Sequence, residues 1–252
     1  KTSTLLRAVA ARVLRDSLDP ASVLVLAPSR VAAAGLRSRM ARALTVAGAA
    51  ALLEPPARTA ASYAFSLIRR HALAVGQPSP QLISGPEQDV ILADLLAGHA
   101  EGDGRLPIWP EQVMPALRLR GFRHELRDLL MRAMERGVDP DELARLGRVH
   151  RRPVWRAAAV VYREYLQVTA LSTPGAYDPA AIVDHATALL ADDARLLAAE
   201  RARWRLIAVD DHHESGEALA RLLDQLAPPG TDLLVFGDPD ATTQSFRGAQ
   251  SR

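Results

Sequence analysis

Apolar residues along this chain fall into two kinds of pattern. Short unbroken runs occur in "SVLVLAPSR", "RLIAVDD" and "DLLVFGD", each closed by Pro, Asp or Gly. Such a run, bounded by turn residues, reads as a strand buried on both faces; three of them separated by helical stretches predict a parallel sheet covered by helices. Elsewhere the apolar positions recur at three and four residues. "TLLRAVAARVLRD" and "VAAAGLRSRMARAL" predict helices on either side of the first strand. Further on, "PEQDVILADLLAG", "GFRHELRDLLMRAMERG", "DPDELARLG" and "RPVWRAAAVVYREYLQVTAL" predict a long helical region, with Gly121 and Gly137 bounding the second helix and Asp139 capping the third. "AGHAEGDGRLPIWP" reads as a linker and "LSTPGAYDP" as the return. The organisation predicted is an α/β domain over residues 1–104 and 176–252, interrupted by an all-helical insertion over 105–175.

Composition narrows the class. At 252 residues and 48% hydrophobic content the chain is large enough for a substantial core. No apolar run reaches the roughly 18 residues of a membrane helix and no signal pattern opens the chain, so a cytoplasmic protein without a membrane partner is expected. Cysteine is absent, which excludes disulfides, thiolate zinc sites and cysteine-ligated iron–sulfur clusters from this segment. A net charge of +2 is too small to argue nucleic-acid binding, although the pI near 9.4 leans that way. More telling is that, of 31 basic residues, all but Lys1 are arginine. Lys1 followed by Thr2 matches the end of a P-loop, G-x-x-x-x-G-K-[ST]. There a compact ammonium on a flexible stem reaches phosphates and the next hydroxyl ligates Mg²⁺.

The stretch "RLIAVDDHHESGEALARLL", residues 205 to 223, carries the densest chemistry. Two carboxylates at a strand end, Asp210 and Asp211, can hold hydrated Mg²⁺ beside a bound nucleotide. A zinc site from Asp210, Asp211, His212 and His213 is a second reading. It is a poor one, because adjacent residues on an extended chain point to opposite sides. In a third reading Asp211 only caps a helix starting near Glu214, with both histidines solvated. Ligands of open parallel sheets bind at the carboxyl ends of the strands, which places Asp210, Asp211 and Asp238 near the Lys1 end of the fold.

In order, the chain offers Lys1-Thr2, "VLVLAPSRVAAAGLRSRM", "TAASYAFSLIRR", "IAVDDHHES" and "LLVFGDPDATTQSFRGA". This series resembles the N-terminal half of superfamily 1 DNA helicases of the UvrD/Rep type, and the match to "GDPxQSIYxFRGA" is its most specific part. The resemblance implies a RecA-like P-loop NTPase domain (1A) with an inserted helical subdomain (1B), using ATP and Mg²⁺. On this likeness Lys1, Thr2 and Ser3 would bind ATP, Thr2 and Asp210 would ligate Mg²⁺, and Asp210 and Asp211 would be catalytic. Asp211 stands where the family has a Glu, His213 where a Gln senses the γ-phosphate, and Ala241 where a second Gln stands. A weak or vestigial ATPase is therefore expected. Arg247 would link the nucleotide to the strand.

Single-stranded DNA contacts implied by the resemblance fall on Ser29, Arg30, Thr59, Ser62, Tyr63 and Phe246, the last as a base-stacking ring. Pro28 and Gln244 replace aromatic residues of the family's pockets, and Tyr63 with Ser62 could compensate. Basic clusters at Arg118, Arg120, Arg123, His150, Arg151 and Arg152 are candidates for duplex phosphates, unless Glu125 and Asp128 pair with Arg123 and Arg127.

Within the family, "LISGPEQDVILADLLAG", "RGFRHELRDLLMRAMERG" and "RPVWRAAAVVYREY" are similar to the actinobacterial AdnAB helicase-nucleases, which process double-strand-break ends for recombination. The altered acidic motif is closer to the AdnA subunit. The likeness implies DNA ends as substrate and a second helicase-nuclease subunit as heterodimer partner. It also implies a second RecA-like half, absent here along with the glycines before Lys1, so a piece cut after "FRGA" is expected not to unwind DNA alone. The alternative is a helicase-like subunit that guides DNA without turnover.

Overall fold

The computed structural model describes residues 1–46, 57–102, 109–238 and 240. They form two compact units, one from Lys1–His71 and the described residues from Val183 onward, the other from Ala72–Ile182.

The first unit opens with α1 (Thr2–Arg15), β1 (Val23–Leu26), α2 (Arg30–Val46), β2 (Ala57–Arg58) and α3 (Ala60–Ala74). The second holds β3 (Gln81–Leu82), α4 (Gly85–Glu101), α5 (Arg120–Glu135), α6 (Pro140–Val149), α7 (Pro153–Ser172) and β4 (Ala176–Tyr177). The chain then completes the first with α8 (Ile182–Asp192), α9 (Ala194–Arg203), β5 (Leu206–Val209), α10 (Glu217–Leu226) and β6 (Asp232–Val235).

In the first unit four strands form a wholly parallel sheet in the order β2-β1-β5-β6. The central pair is in register from Val23 opposite Leu206 to Leu26 opposite Val209, and every side chain of both strands is buried. Strand side chains alternate between faces. Val23, Val25, Leu206 and Ala208 pack with Leu5, Val9 and Val13 of α1 and with Leu36 and Met40 of α2. Each such aliphatic side chain contributes about 1.5–3 kcal/mol when fully buried. The alternate set, Leu24, Leu26, Ile207 and Val209, is buried on the opposite face. An unbroken apolar run is what a two-sided strand requires, and here the sequence pattern is met. At β6 it is not. Leu233 and Val235 are 41% and 47% exposed on one face, while Leu234 on the other packs against the α1 and α2 core.

The second unit is helical around Leu92 and Leu96 of α4, Leu126 and Leu130 of α5, Leu143 of α6, and Val161, Tyr162 and Tyr165 of α7. Its helix ends are set by local chemistry. Ser84 and Glu87 form a reciprocal capping box on α4, and Asp139 accepts the Glu142 N–H at 2.8 Å, as its sequence position predicts. Gly121 lies inside the first turn of α5 rather than before it, whereas Gly137 follows the helix with φ 66°. Gly147 is required for a different reason: a Cβ there would sit 2.9 Å from Arg156 Cγ and 3.1 Å from the Arg152 carbonyl, so only glycine lets α6 and α7 approach this closely. Trp109, read as the end of a linker, is buried in this core and donates its indole N–H to His99 Nδ1 at 3.1 Å. Asp178, just past β4, accepts from Gln88 Nε2 and from the Tyr165 hydroxyl, both at 2.8 Å, and ties the return segment to α4 and α7.

Candidate functional site

The site assembles where β5 ends and α1 begins. The Asp210 N–H donates to the Leu26 carbonyl at 2.9 Å, so the parallel ladder carries one residue past the strand and fixes the carboxylate at the sheet's carboxyl edge. Asp210 is only 2% exposed. The Thr2 hydroxyl, in the first turn of α1, donates to its two oxygens at 3.0 and 3.3 Å. Burial pushes the Asp210 carboxyl up; Thr2 opposes this by bonding the charged form, and the neighbouring Asp211 charge adds to the rise. α1 has no acidic residue in its first turn, so its positive end faces this edge without an internal counter-anion.

Asp211 turns the chain with φ 48° and ψ 47°, a left-handed conformation uncommon for a residue with a Cβ. It makes no side-chain capping bond, and α10 begins later, with Gly216 at its N-cap. The capping reading of Asp211 is thus not what holds this turn. His213 is buried and its Nδ1 accepts the Asp238 N–H at 3.2 Å, while its Nε2 lies 3.8 Å from Glu214 Oε1. Gly237 lies against this ring: a Cβ there would come within 3.3 Å of the His213 nitrogen and 3.5 Å of Nδ1. His212, whose N–H donates to the Phe236 carbonyl at 2.8 Å, ties the end of β5 to the end of β6; burial and the adjacent His213 push its imidazole pKa down.

Lys1 extends from the N-cap of α1 and its Nζ lies 2.7 Å from Asp238 Oδ2. That bond holds the Asp238 carboxyl below the ordinary range. The carboxyl ends of the parallel strands placed Asp238 near the Lys1 end, and the contact agrees. Lys1, Thr2, Asp210, Asp211 and His213 therefore converge, with Asp238 as an additional member. Ser3 is exposed and accepts from Arg39 Nη2 at 2.9 Å. Among the described residues no group of three or more His, Cys, Asp or Glu is disposed to hold a metal, so the zinc reading of residues 210–213 finds no support.

The residues expected to touch DNA divide. Ser29 Oγ accepts the Ala32 N–H and Thr59 Oγ1 the Ser62 N–H, both at 3.1 Å, so the two hydroxyls cap α2 and α3 while Arg30 and Ser62 stand exposed beside them. Tyr63 lies inside the fold. It is 0% exposed, its hydroxyl donates to Glu200 Oε2 at 2.7 Å, and its ring meets Trp204 edge-on, leaving no face for a base. Arg70 also bonds Glu200, which is how a buried carboxylate from α9 is satisfied. Phe246 and Arg247, with Ala241 and Gln244, lie outside the described residues.

In the helical unit Arg123 forms a two-pronged pair with Asp89 of α4 at 2.7 and 3.0 Å, not with Glu125, and Arg118 meets Glu101 at 3.1 Å. Arg120, His150, Arg151 and Arg152 are exposed.

The profile of the UvrD/REP helicase N-terminal domain matches residues 1–252. A search of curated proteins returns no match. No helix among the described residues is long and apolar enough to cross a membrane.

Proposed function

The chain belongs to the UvrD/REP helicase family, and from that premise we propose that it is the ATP-binding motor half of a DNA helicase whose own ATP turnover is weak. The observation that carries this reading is the Thr2–Asp210 pair at the amino end of α1, with Lys1 beside it. A helix N-terminus, an ammonium and a hydroxyl facing a strand-end carboxylate form a phosphate and metal cradle.

The donors fit Mg²⁺, a hard cation that takes a hydroxyl and a carboxylate alongside phosphate oxygens. Thr2 and Asp210 would hold it, and the buried Asp210 charge is one that a divalent cation compensates. When bound, Mg²⁺ supplies charge neutralisation across the β- and γ-phosphates. Lys1 exchanges Asp238 for those phosphates, and Ser3 adds a hydroxyl at the same helix start. Asp211 orients the attacking water, but it is one methylene shorter than Glu and is held in a left-handed turn. His213, bonded to the Asp238 N–H, takes the γ-phosphate-sensing position. Arg247 relays that state to the strand.

Single-stranded DNA runs along the carboxyl edge of the sheet over Arg30 and Ser62, with Ser29 and Thr59 setting the two helix starts and Phe246 stacking a base. We take the helical unit as the inserted subdomain, whose exposed Arg120, His150, Arg151 and Arg152 meet duplex ends. The likeness to AdnA supports a heterodimer with a second helicase-nuclease subunit acting at double-strand breaks in the cytoplasm.

A second reading, a DNA-guiding subunit with no turnover, is favoured by the Asp211 turn. Single-strand-stimulated ATP hydrolysis by the full-length protein with its partner separates the two, comparing wild type with Lys1→Ala in this subunit. A loss of activity means this half turns over. No loss with DNA binding intact means it guides, and turnover equal to an intact family motor would sink the claim of weak hydrolysis.

A further inference from the structure

The helical unit carries an apolar cavity of about 350 Å³ between β3, the first turns of α4 and the end of α7. Its apolar wall is made by Leu82 and Ile83, by Pro86, Val90 and Ile91 of α4, and by Ala176 of β4. Two of these residues also face water: Val90 is 60% and Leu82 40% exposed. Exposed apolar surface that runs on into a concave pocket marks a place where something binds, unlike apolar residues scattered singly.

The strand at the rim and the charge on the wall say what kind of occupant fits. In the parallel pair of β3 and β4 the Gln81 and Ile83 N–H groups donate to the Gly175 and Tyr177 carbonyls, each at 3.0 Å. Peptide groups alternate along a strand, so the Leu82 N–H and C=O point to the outer edge, where β3 has no neighbouring strand among the described residues. A free edge beside an apolar pocket suits an extended chain, which bonds the edge through its backbone and places a side chain in the pocket. Glu87 alone is charged among the lining residues. Its Oε2 accepts the Ser84 N–H at 2.6 Å in the α4 capping box, which holds the carboxyl below its ordinary range. The wall is thus apolar with one anion and no cation to answer it. We propose that this cavity docks an extended segment of a partner protein, which pairs with the Leu82 edge, buries one large apolar side chain against Val90, Ile91 and Ala176, and sets a basic residue against Glu87. The site draws on no residue of the nucleotide cradle, so it stands or falls separately from the motor reading.

The test titrates the full-length protein with capped, fluorescein-labelled pentapeptides: Arg-Thr-Trp-Thr-Arg, its central-alanine analogue, Glu-Thr-Trp-Thr-Glu, and versions of the first N-methylated at one residue at a time. Tryptamine, which offers the ring and the cation without an extended backbone, is titrated as a competitor. Wild type is compared with Ala176→Leu, which fills the cavity, and with Glu87→Gln, which keeps a residue able to close the capping box but removes the charge. Circular dichroism and thermal melts check folding. Wild type should bind the first peptide, and the central alanine or Ala176→Leu should each weaken it at least about tenfold. N-methylation should cost about two- to tenfold at alternate residues and nothing between them. Glu87→Gln should cost about two- to fivefold and abolish the preference for arginine over glutamate flanks. A folded Ala176→Leu protein that binds the peptide as wild type does, or a wild type that binds none of the peptides, overturns the proposal. Tryptamine bound as tightly as the peptide also overturns it and makes the cavity a small-amine site. Self-association in light scattering that Ala176→Leu abolishes gives the cavity to a second copy of this chain and overturns a separate partner.

Discussion

Replacing Thr2 by valine isolates the bond at the centre of the cradle. The side chains are close in size, so the change removes a hydroxyl without leaving a large cavity. In the native protein that hydroxyl donates at 3.0 Å to a carboxylate that is 2% exposed. A hydrogen bond to a charged group contributes roughly 1.5–3 kcal/mol, and that is the expected loss for the sheet-bearing unit at pH 7. The pH dependence has a definite sign. Burial raises the folded-state pKa of Asp210, so the unfolded chain releases its proton first, and stability falls as pH rises from the unfolded value of 3.8 through the folded one. Thr2 opposes that fall by bonding the ionised form, and Thr2→Val steepens it. The variant should therefore lie closest to wild type at pH 3.5, where the raised pKa keeps the folded carboxyl mostly protonated, and diverge as the pH rises and that carboxyl ionises. Urea titrations at several pH values, followed by hydrogen-exchange protection of the β5 peptide so that the helical unit does not contribute, would show this. An equal loss at pH 3.5 and pH 7 would mean that packing, not the Thr2–Asp210 bond, carries the effect.

Three further outcomes test other parts of the argument. Asp211→Glu restores the missing methylene and should raise single-strand-stimulated ATP turnover at least tenfold; unchanged turnover would place the defect elsewhere. Tyr63→Phe should cost about 1–3 kcal/mol, because Glu200 loses a buried donor, while leaving oligonucleotide affinity unchanged. A drop in DNA affinity with stability intact would return Tyr63 to the strand path. Asp178→Ala should destabilise the helical unit by about 3 kcal/mol or more, since it strands both Gln88 and the Tyr165 hydroxyl; thermal melts in which Asp178→Asn costs as much as Asp178→Ala would refute the hydrogen-bonding account.

What the sequence shows and what it hides follow from the range of the forces involved. β1 and β5 are legible because a strand buried on both faces must be apolar at every position. α1 is legible because its buried Leu5, Leu6, Val9 and Val13 fall at helical spacing. Strand β2 is Ala57 and Arg58 alone, too short for any period, and the two-residue strands β3 and β4 are equally silent. The apolar run of β6 foretells a strand but not its exposure, since cover comes from other parts of the chain. Periodicity finds α4 as a helix yet cannot say that it packs on α5 and α7. Tyr63 is the sharpest case. Its place in a motif suggests a strand contact, and what puts it inside is Glu200, 137 residues away, which no local pattern announces.

The cradle as it stands is closed on itself, and this sets how it must respond to a nucleotide. Lys1 is bonded to Asp238 and Thr2 to Asp210, so the groups that would hold phosphate and Mg²⁺ already satisfy one another. Binding is an exchange of partners, not the filling of open valences. The two exchanges differ in cost. Lys1 and Asp238 are open to water, where an ion pair adds little, so the ammonium leaves readily. The Thr2–Asp210 bond involves a buried carboxylate, and breaking it without a replacement charge would leave Asp210 worse solvated than before. On the proposed reading, the cation and the phosphates would have to arrive together for Thr2 to turn from Asp210, while Lys1 could reach a phosphate alone. Nucleotide without Mg²⁺ should bind through Lys1 and leave the Thr2–Asp210 bond in place, a state distinguishable by retained protection of the first turn of α1 in hydrogen exchange.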